Sequence, residues 1–317
     1  MSAKMANHFR LGSLLCRIEA EAASGWSKIL ADVNGTPLFQ AGEEVVADLV
    51  IRFEERPDLP IRGADELRVE ETEDGFLLES DPLNIRLENG PNQNSATLEV
   101  KQPSMAEEQL GFHFWLVTNR MLMLMDRMRL HCAAVEVDGL VALFCGRRGS
   151  GKSTLSVSLA QAGATILAED HVILKQEQGE FFVSGCTSRV RVTAKTEEGL
   201  LNGRLSSAAV DVGGVPKKDF PAEQFFKSAP YIDRKPDLLF LSRVGERFAV
   251  NELSKKNALL GLMAVTGEML RFSNGRDYES FVDSLSEFVG AVPTYSLELS
   301  PDLTQLPLLA EWLKGVR

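Results

Sequence analysis

The stretch Leu130–Leu174 reads LHCAAVEVDGLVALFCGRRGSGKSTLSVSLAQAGATILAEDHVIL. Cys132–Val137 is expected to be a strand. Asp138–Gly139 is a hairpin turn, because a tight hairpin needs positive φ at both central positions and Asp-Gly tolerates it. Leu140–Cys145 is an unbroken apolar run, as a buried strand is. Residues 146–153, GRRGSGKS, fit the spacing G-x-x-x-x-G-K-[ST] of a loop that cradles phosphates. A helix is expected from Lys152 to Ala162, with Gly163 at its C-terminal cap. Thr165–Ala168 is a further short strand, running into the acidic pair Glu169–Asp170.

The loop spacing has a physical basis. Gly146 and Gly151 let the backbone wrap tightly with its N–H groups pointing inward. Those donors lie at the N-terminus of the next helix, where the dipole favours an anion. On this reading Gly146, Arg147, Arg148, Gly149, Ser150, Gly151, Lys152, Ser153 and Thr154 bind ATP. Lys152 reaches the β and γ oxygens, and the Ser153 hydroxyl ligates Mg²⁺. With Gly near 7% of residues, the pattern arises by chance in roughly one chain in a hundred of this length. Finding it between an apolar strand and a helix is rarer still. Glu169 and Asp170, two adjacent acids at the end of the next strand, can serve Mg²⁺ and act as a general base. Spacing alone assigns no role to His131, at the start of the hairpin.

Before this stretch, Val46–Phe53, Glu66–Glu70, Gly75–Glu79, Leu83–Leu87 and Ala96–Lys101 read as short strands, several of them alternating apolar and polar residues. Met105–Met128 has its apolar residues at helical spacing. Beyond it, Val172–Lys175, Glu180–Ser184, Arg189–Thr193, Asp237–Ser242, Arg247–Glu252 and Thr294–Glu298 read as strands. Helices are expected from Ser254 to about Arg271, around Phe281–Val289 and over Leu306–Lys314. Residues 196–230, rich in Gly, Ser, Ala and Lys, are expected to hold short helices or a mobile functional loop. At roughly 150 residues per domain, a chain of 317 residues predicts about two domains. They are a strand-rich N-terminal domain over 1–104 and an ATP-binding domain over 130–317, joined by a helix over 105–129.

The chain carries 45 acidic and 34 basic side chains, a net charge of −11. That total disfavours nucleic acid and anionic membranes as partners, since both need clustered positive charge. The N-terminal residues show no signal peptide, and no apolar run is long enough to span a bilayer. Cys16, Cys132, Cys145 and Cys186 are scattered, with no metal-binding spacing. They are expected to be buried free thiols in a reducing cytoplasm.

Together these residues resemble the HPr kinase/phosphorylase superfamily, related to ATP-dependent phosphoenolpyruvate carboxykinase. His131, Gly139, Gly146, Lys152, Gly163 and Glu169–Asp170 fall in the family's register without a gap. The resemblance implies an α/β (α+β) fold: a P-loop core of mixed sheet with helices, here preceded by the strand-rich domain. It implies a Mg·ATP-dependent kinase in which Asp170 and Glu169 share metal and base duties and His131 lies near the transferred phosphate. Two departures stand out. Glu169 occupies a position where the family commonly has Asp, and Phe181–Val192 lacks the signature of the phosphorylase. Relatives with this simpler core phosphorylate other acceptors, including the C-terminal serine of lasso-peptide precursors. A peptide or protein serine hydroxyl is therefore the expected acceptor. Arg189 and Arg191 are candidates to face phosphates or a carboxylate. Family members often assemble, so a homo-oligomer is expected. A nucleotide-binding regulatory module without transferase activity is the alternative.

Overall fold

The computed structural model describes residues 4–21, 47–55, 68–72, 75–80, 83–89, 94–100, 118–212, 214–266 and 275–316. The chain divides into two compact units, Met1–Arg127 and Met128–Arg317. The first is built on β1 (Lys4–Leu11), β2 (Leu14–Glu21), β3 (Leu49–Glu55), β4 (Arg68–Thr72), β5 (Gly75–Ser80), β6 (Leu83–Asn89) and β7 (Asn94–Val100). They form one sheet in the order β1-β2-β3-β7-β6-β5-β4. The β1–β2 hairpin was not singled out by its sequence, because Asn7, His8 and Arg10 break any apolar alternation. Its turn uses Gly12 at φ 62°.

Residues 118–124 form a helix, α1, and the chain turns at 125–126. The helix expected over 105–129 therefore ends early, and Arg127–Val137 is strand β8. Asp126 adopts the left-handed conformation at φ 53°, which stops a helix. Met128 and Leu130 are buried in the strand, so their apolar character fits either structure. Residues 105–117, the ends of the expected elements at 46, 66–67 and 101, and helix residues 267–271 lie outside the described residues.

The second unit is a mixed sheet in the order β12-β11-β8-β9-β16-β18-β17, with β10 also paired to β8. Its strands are β9 (Leu140–Cys145), β10 (Thr165–Ala168), β11 (His171–Glu177), β12 (Glu180–Gly185), β16 (Leu238–Val244), β17 (Ala249–Glu252) and β18 (Thr294–Leu299). The β8–β9 hairpin is antiparallel and turns at Asp138 and Gly139, φ 50° and 86°. β9, β16 and β18 run parallel to one another. Helix α2 (Lys152–Gln161) follows the glycine-rich loop. Leu155 and Leu159 of α2 pack on Ala133, Val135, Phe144 and Phe240, together with Leu309 and Leu313 of the C-terminal helix, α6 (Pro307–Gly315). Helices α4 (Lys255–Thr266) and α5 (Gly275–Ala291) contact each other, and α4 contacts β16 and β18.

Residues 196–212 and 214–230 hold a helix and short strands. Helix α3 (Ala194–Leu201) is capped by Thr193, whose side chain accepts from the Thr196 amide. A second, three-stranded sheet has the order β13-β15-β14, from Arg189–Val192, Pro216–Pro221 and Ala209–Asp211. Val190, Val192 and Phe220 of this sheet are buried with Val157 and Ala160 of α2. Among the described residues, no helix is long and apolar enough to cross a bilayer.

Candidate active site

The glycine-rich loop leaves the end of β9 and opens α2, the strand–loop–helix order that the motif requires. Gly149 and Gly151 adopt φ 80° and 91°, which a side chain would strain. Gly146 is fixed by crowding instead: a Cβ there would meet the Ser150 side chain and lie 2.6 Å from the Ser242 carbonyl oxygen. The loop closes on itself through the Ser150 amide, which donates to the Arg147 carbonyl at 3.0 Å. Ser242, at the end of β16, was not anticipated. Its hydroxyl donates to the Cys145 carbonyl at 3.1 Å and lies 3.3 Å from the Ser150 hydroxyl, bracing the base of the loop. The Lys152 ammonium donates to the Gly146 carbonyl at 2.7 Å and the Arg147 carbonyl at 3.4 Å. Burial lowers its pKa, while Asp170 opposes that shift. Arg147 and Arg148 are exposed.

The acidic pair lies beside β8, an interior strand of the sheet. β10 and β11 both pair with β8, and Glu169–Asp170 is the corner between them. The Cys132 amide on β8 donates to the Asp170 carbonyl at 3.0 Å, pinning that corner. The two acids find different partners. The Glu169 side chain is buried and accepts a short hydrogen bond from the Ser153 hydroxyl. Burial, reinforced by the Asp170 charge, raises its pKa to about 7, against the Ser153 hydrogen bond. Asp170 is half-buried, with one carboxylate oxygen 3.3 Å from His131 Nε2 and the other 3.7 Å from His171 Nε2. The two imidazoles meet edge to face at 5.2 Å.

Burial alone would raise the Asp170 pKa, but His171, His131, Lys152 and Lys217 together bring it down to about 2. The imidazoles are themselves depressed. Burial lowers His131, against the pull of Asp170. Burial and the Arg129 charge lower His171 to about 3. A carboxylate between two imidazoles stays ionised while either ring holds a proton. Lys152 and Lys217 keep it ionised when neither ring does.

The loop, Lys152, Ser153, Glu169, Asp170 and His131 are thus brought to one end of the central sheet. Thr154 points another way, its hydroxyl 2.8 Å from that of Thr196 on α3. The arrangement offers two places for a cation. Ser153 and Glu169 supply hard oxygen donors, the set that Mg²⁺ prefers. His131, Asp170 and His171 place three ligand atoms within 4.8 Å of one another. His171 was passed over in the sequence because it follows the acidic pair directly and carries no motif of its own. Cys132 and Cys145 are free and buried, facing each other directly across β8 and β9.

No family model matches this chain. A search of curated proteins found no match either. Among solved structures the chain is similar to the Hpr(Ser) kinase/phosphatase from Coxiella burnetii, at 13% identity and a TM-score of 0.33. That match covers 60% of this chain and 90% of the other.

Proposed function

We propose that the protein is a Mg·ATP-dependent kinase that phosphorylates a hydroxyl, specifically the serine of a peptide or protein. The observation that carries this reading is the division of the acidic pair around the loop. Glu169 is joined to Ser153, and Asp170 stands beside His131 with its carboxylate accessible. The loop amides, Lys152 and Arg148 hold the triphosphate. Ser153 and Glu169 would supply the oxygen donors for Mg²⁺, which would neutralise charge on the phosphates. Asp170 orients the acceptor hydroxyl. The hydroxyl oxygen bonds to the γ phosphorus as the bond from that phosphorus to the β,γ-bridging oxygen breaks, and ADP leaves. The hydroxyl proton passes to Asp170. His131, hydrogen-bonded to Asp170, orients that carboxylate and lies beside the transferred group.

The test uses γ-labelled ATP, Mg²⁺ and peptides carrying internal or C-terminal serine. The parent protein is expected to label a serine peptide. Lys152→Ala should bind no ATP, and Asp170→Asn should bind ATP but transfer at least about 100-fold more slowly. Full transfer by Asp170→Asn would remove it as the base. ATP bound by the parent but stable for hours beside every peptide would favour a regulatory nucleotide-binding module instead.

A further inference from the structure

The small sheet beside the site carries charges that the mechanism above leaves unused. Its register sets Arg191 opposite Asp219, Val192 opposite Lys218, and Val210 opposite Lys217. Side chains alternate along a strand, so Arg189, Arg191, Lys217 and Asp219 share one face. The opposite face is packed and neutralised. Val190, Val192 and Phe220 are buried against α2, and Lys218 is paired with Glu197 at 2.8 Å. On the first face Arg189 is paired with Asp219 at 2.8 Å. Arg191 and Lys217 belong to no ion pair among the described residues.

The sheet adjoins the helix that follows the loop. β13 runs directly into Thr193, the cap of α3, and Thr196 of α3 is hydrogen-bonded to Thr154 in the first turn of α2. The electrostatics agree. Lys217 acts on Glu169, Asp170 and His131, and Arg191 acts on Glu169. Neither cation touches these groups. A terminal phosphoryl group lodged between the loop and the acidic pair would face two carboxylates, with Lys152 as the buried cation of the loop. Its charge calls for positive groups from the opposite side.

We infer that Arg191 and Lys217 form the far wall of the phosphate site and hold the terminal phosphoryl oxygens of a nucleoside triphosphate. The inference rests on the proposed nucleotide site and adds its triphosphate specificity.

Calorimetry on the full chain with Mg²⁺ and ATP, ADP or tripolyphosphate tests it. The parent should prefer ATP to ADP. Arg191→Ala and Lys217→Ala should each weaken ATP and tripolyphosphate about tenfold or more, as loss of a charge-assisted contact does, while ADP stays within about twofold. Lys218→Ala, on the packed face of the same sheet, should leave the ATP-to-ADP ratio unchanged. Arg191→Lys, which retains the charge, should recover part of the loss. If Arg191→Ala misfolds by melting temperature, Lys217→Gln on the hairpin carries the same test. An ATP-to-ADP ratio unaltered in the Arg191 and Lys217 variants overturns the wall and leaves the nucleotide site standing. A parent that binds neither nucleotide nor tripolyphosphate overturns both.

Discussion

Glu169 and Asp170 are adjacent in sequence, yet they sit in opposite electrostatic settings. Glu169 has a folded pKa of about 7 against an ordinary 4.5. Between those values the folded state binds more protons than the unfolded chain, so this group makes stability fall as pH rises from about 4.5 to 7 and level off above. The slope is at most about 1.4 kcal/mol per pH unit. Glu169→Gln should abolish it, giving a flatter profile and a more stable protein above pH 7. Urea unfolding of both proteins at pH 5, 6, 7 and 8 measures this, and parallel profiles would show that Glu169 is not held protonated. The sequence named both acids but could not divide their roles, because adjacency says nothing about which carboxylate reaches Ser153, 16 residues earlier. The lysines of the small sheet were likewise illegible: Lys217 looks like any other lysine of the chain until β15 is paired.

At the scale of elements, the hairpin, the loop and α2 were legible because each has a strong local cause. Asp-Gly sets the turn, an apolar run makes the strand, and glycines permit the wrap. Elements that exist only through their neighbours were not. β15, PKKDFP, contains two lysines and two prolines and becomes a strand only between β13 and β14. The helix before β8 was overextended because Met128 and Leu130 are buried whether they lie in helix or strand. The loop itself makes a sharp prediction. Gly146→Ala places a methyl group 2.6 Å from the Ser242 carbonyl, a backbone atom that cannot swing aside. Nucleotide binding should be lost or weakened at least about tenfold, whereas Gly163→Ala, at an open position with φ 100°, should cost about 1 kcal/mol of stability and leave binding intact. Equal effects from the two substitutions would contradict this account of the loop.

At the scale of the whole chain, the net charge of −11 is not spread evenly. Residues 1–127 carry 22 acidic and 12 basic side chains, and residues 128–317 carry 23 and 22. The two-unit division gives this imbalance its boundary. A fragment starting in the turn at 125–126 should fold, bind Mg·ATP as tightly as the full chain, and elute from an anion exchanger far earlier than the parent. A fragment that is unfolded by circular dichroism would show that residues before the turn are needed for the second unit. β8 carries His131, anchors the acidic corner through the Cys132 amide, and pairs with the strand from which the loop springs. His131, the acidic corner and the base of the loop are thus held by one backbone ladder. The β14–β15 hairpin is joined to that ladder through β13, α3 and the threonine pair. A substitution that shifts β8 would therefore disturb His131, the acidic corner and the base of the loop together.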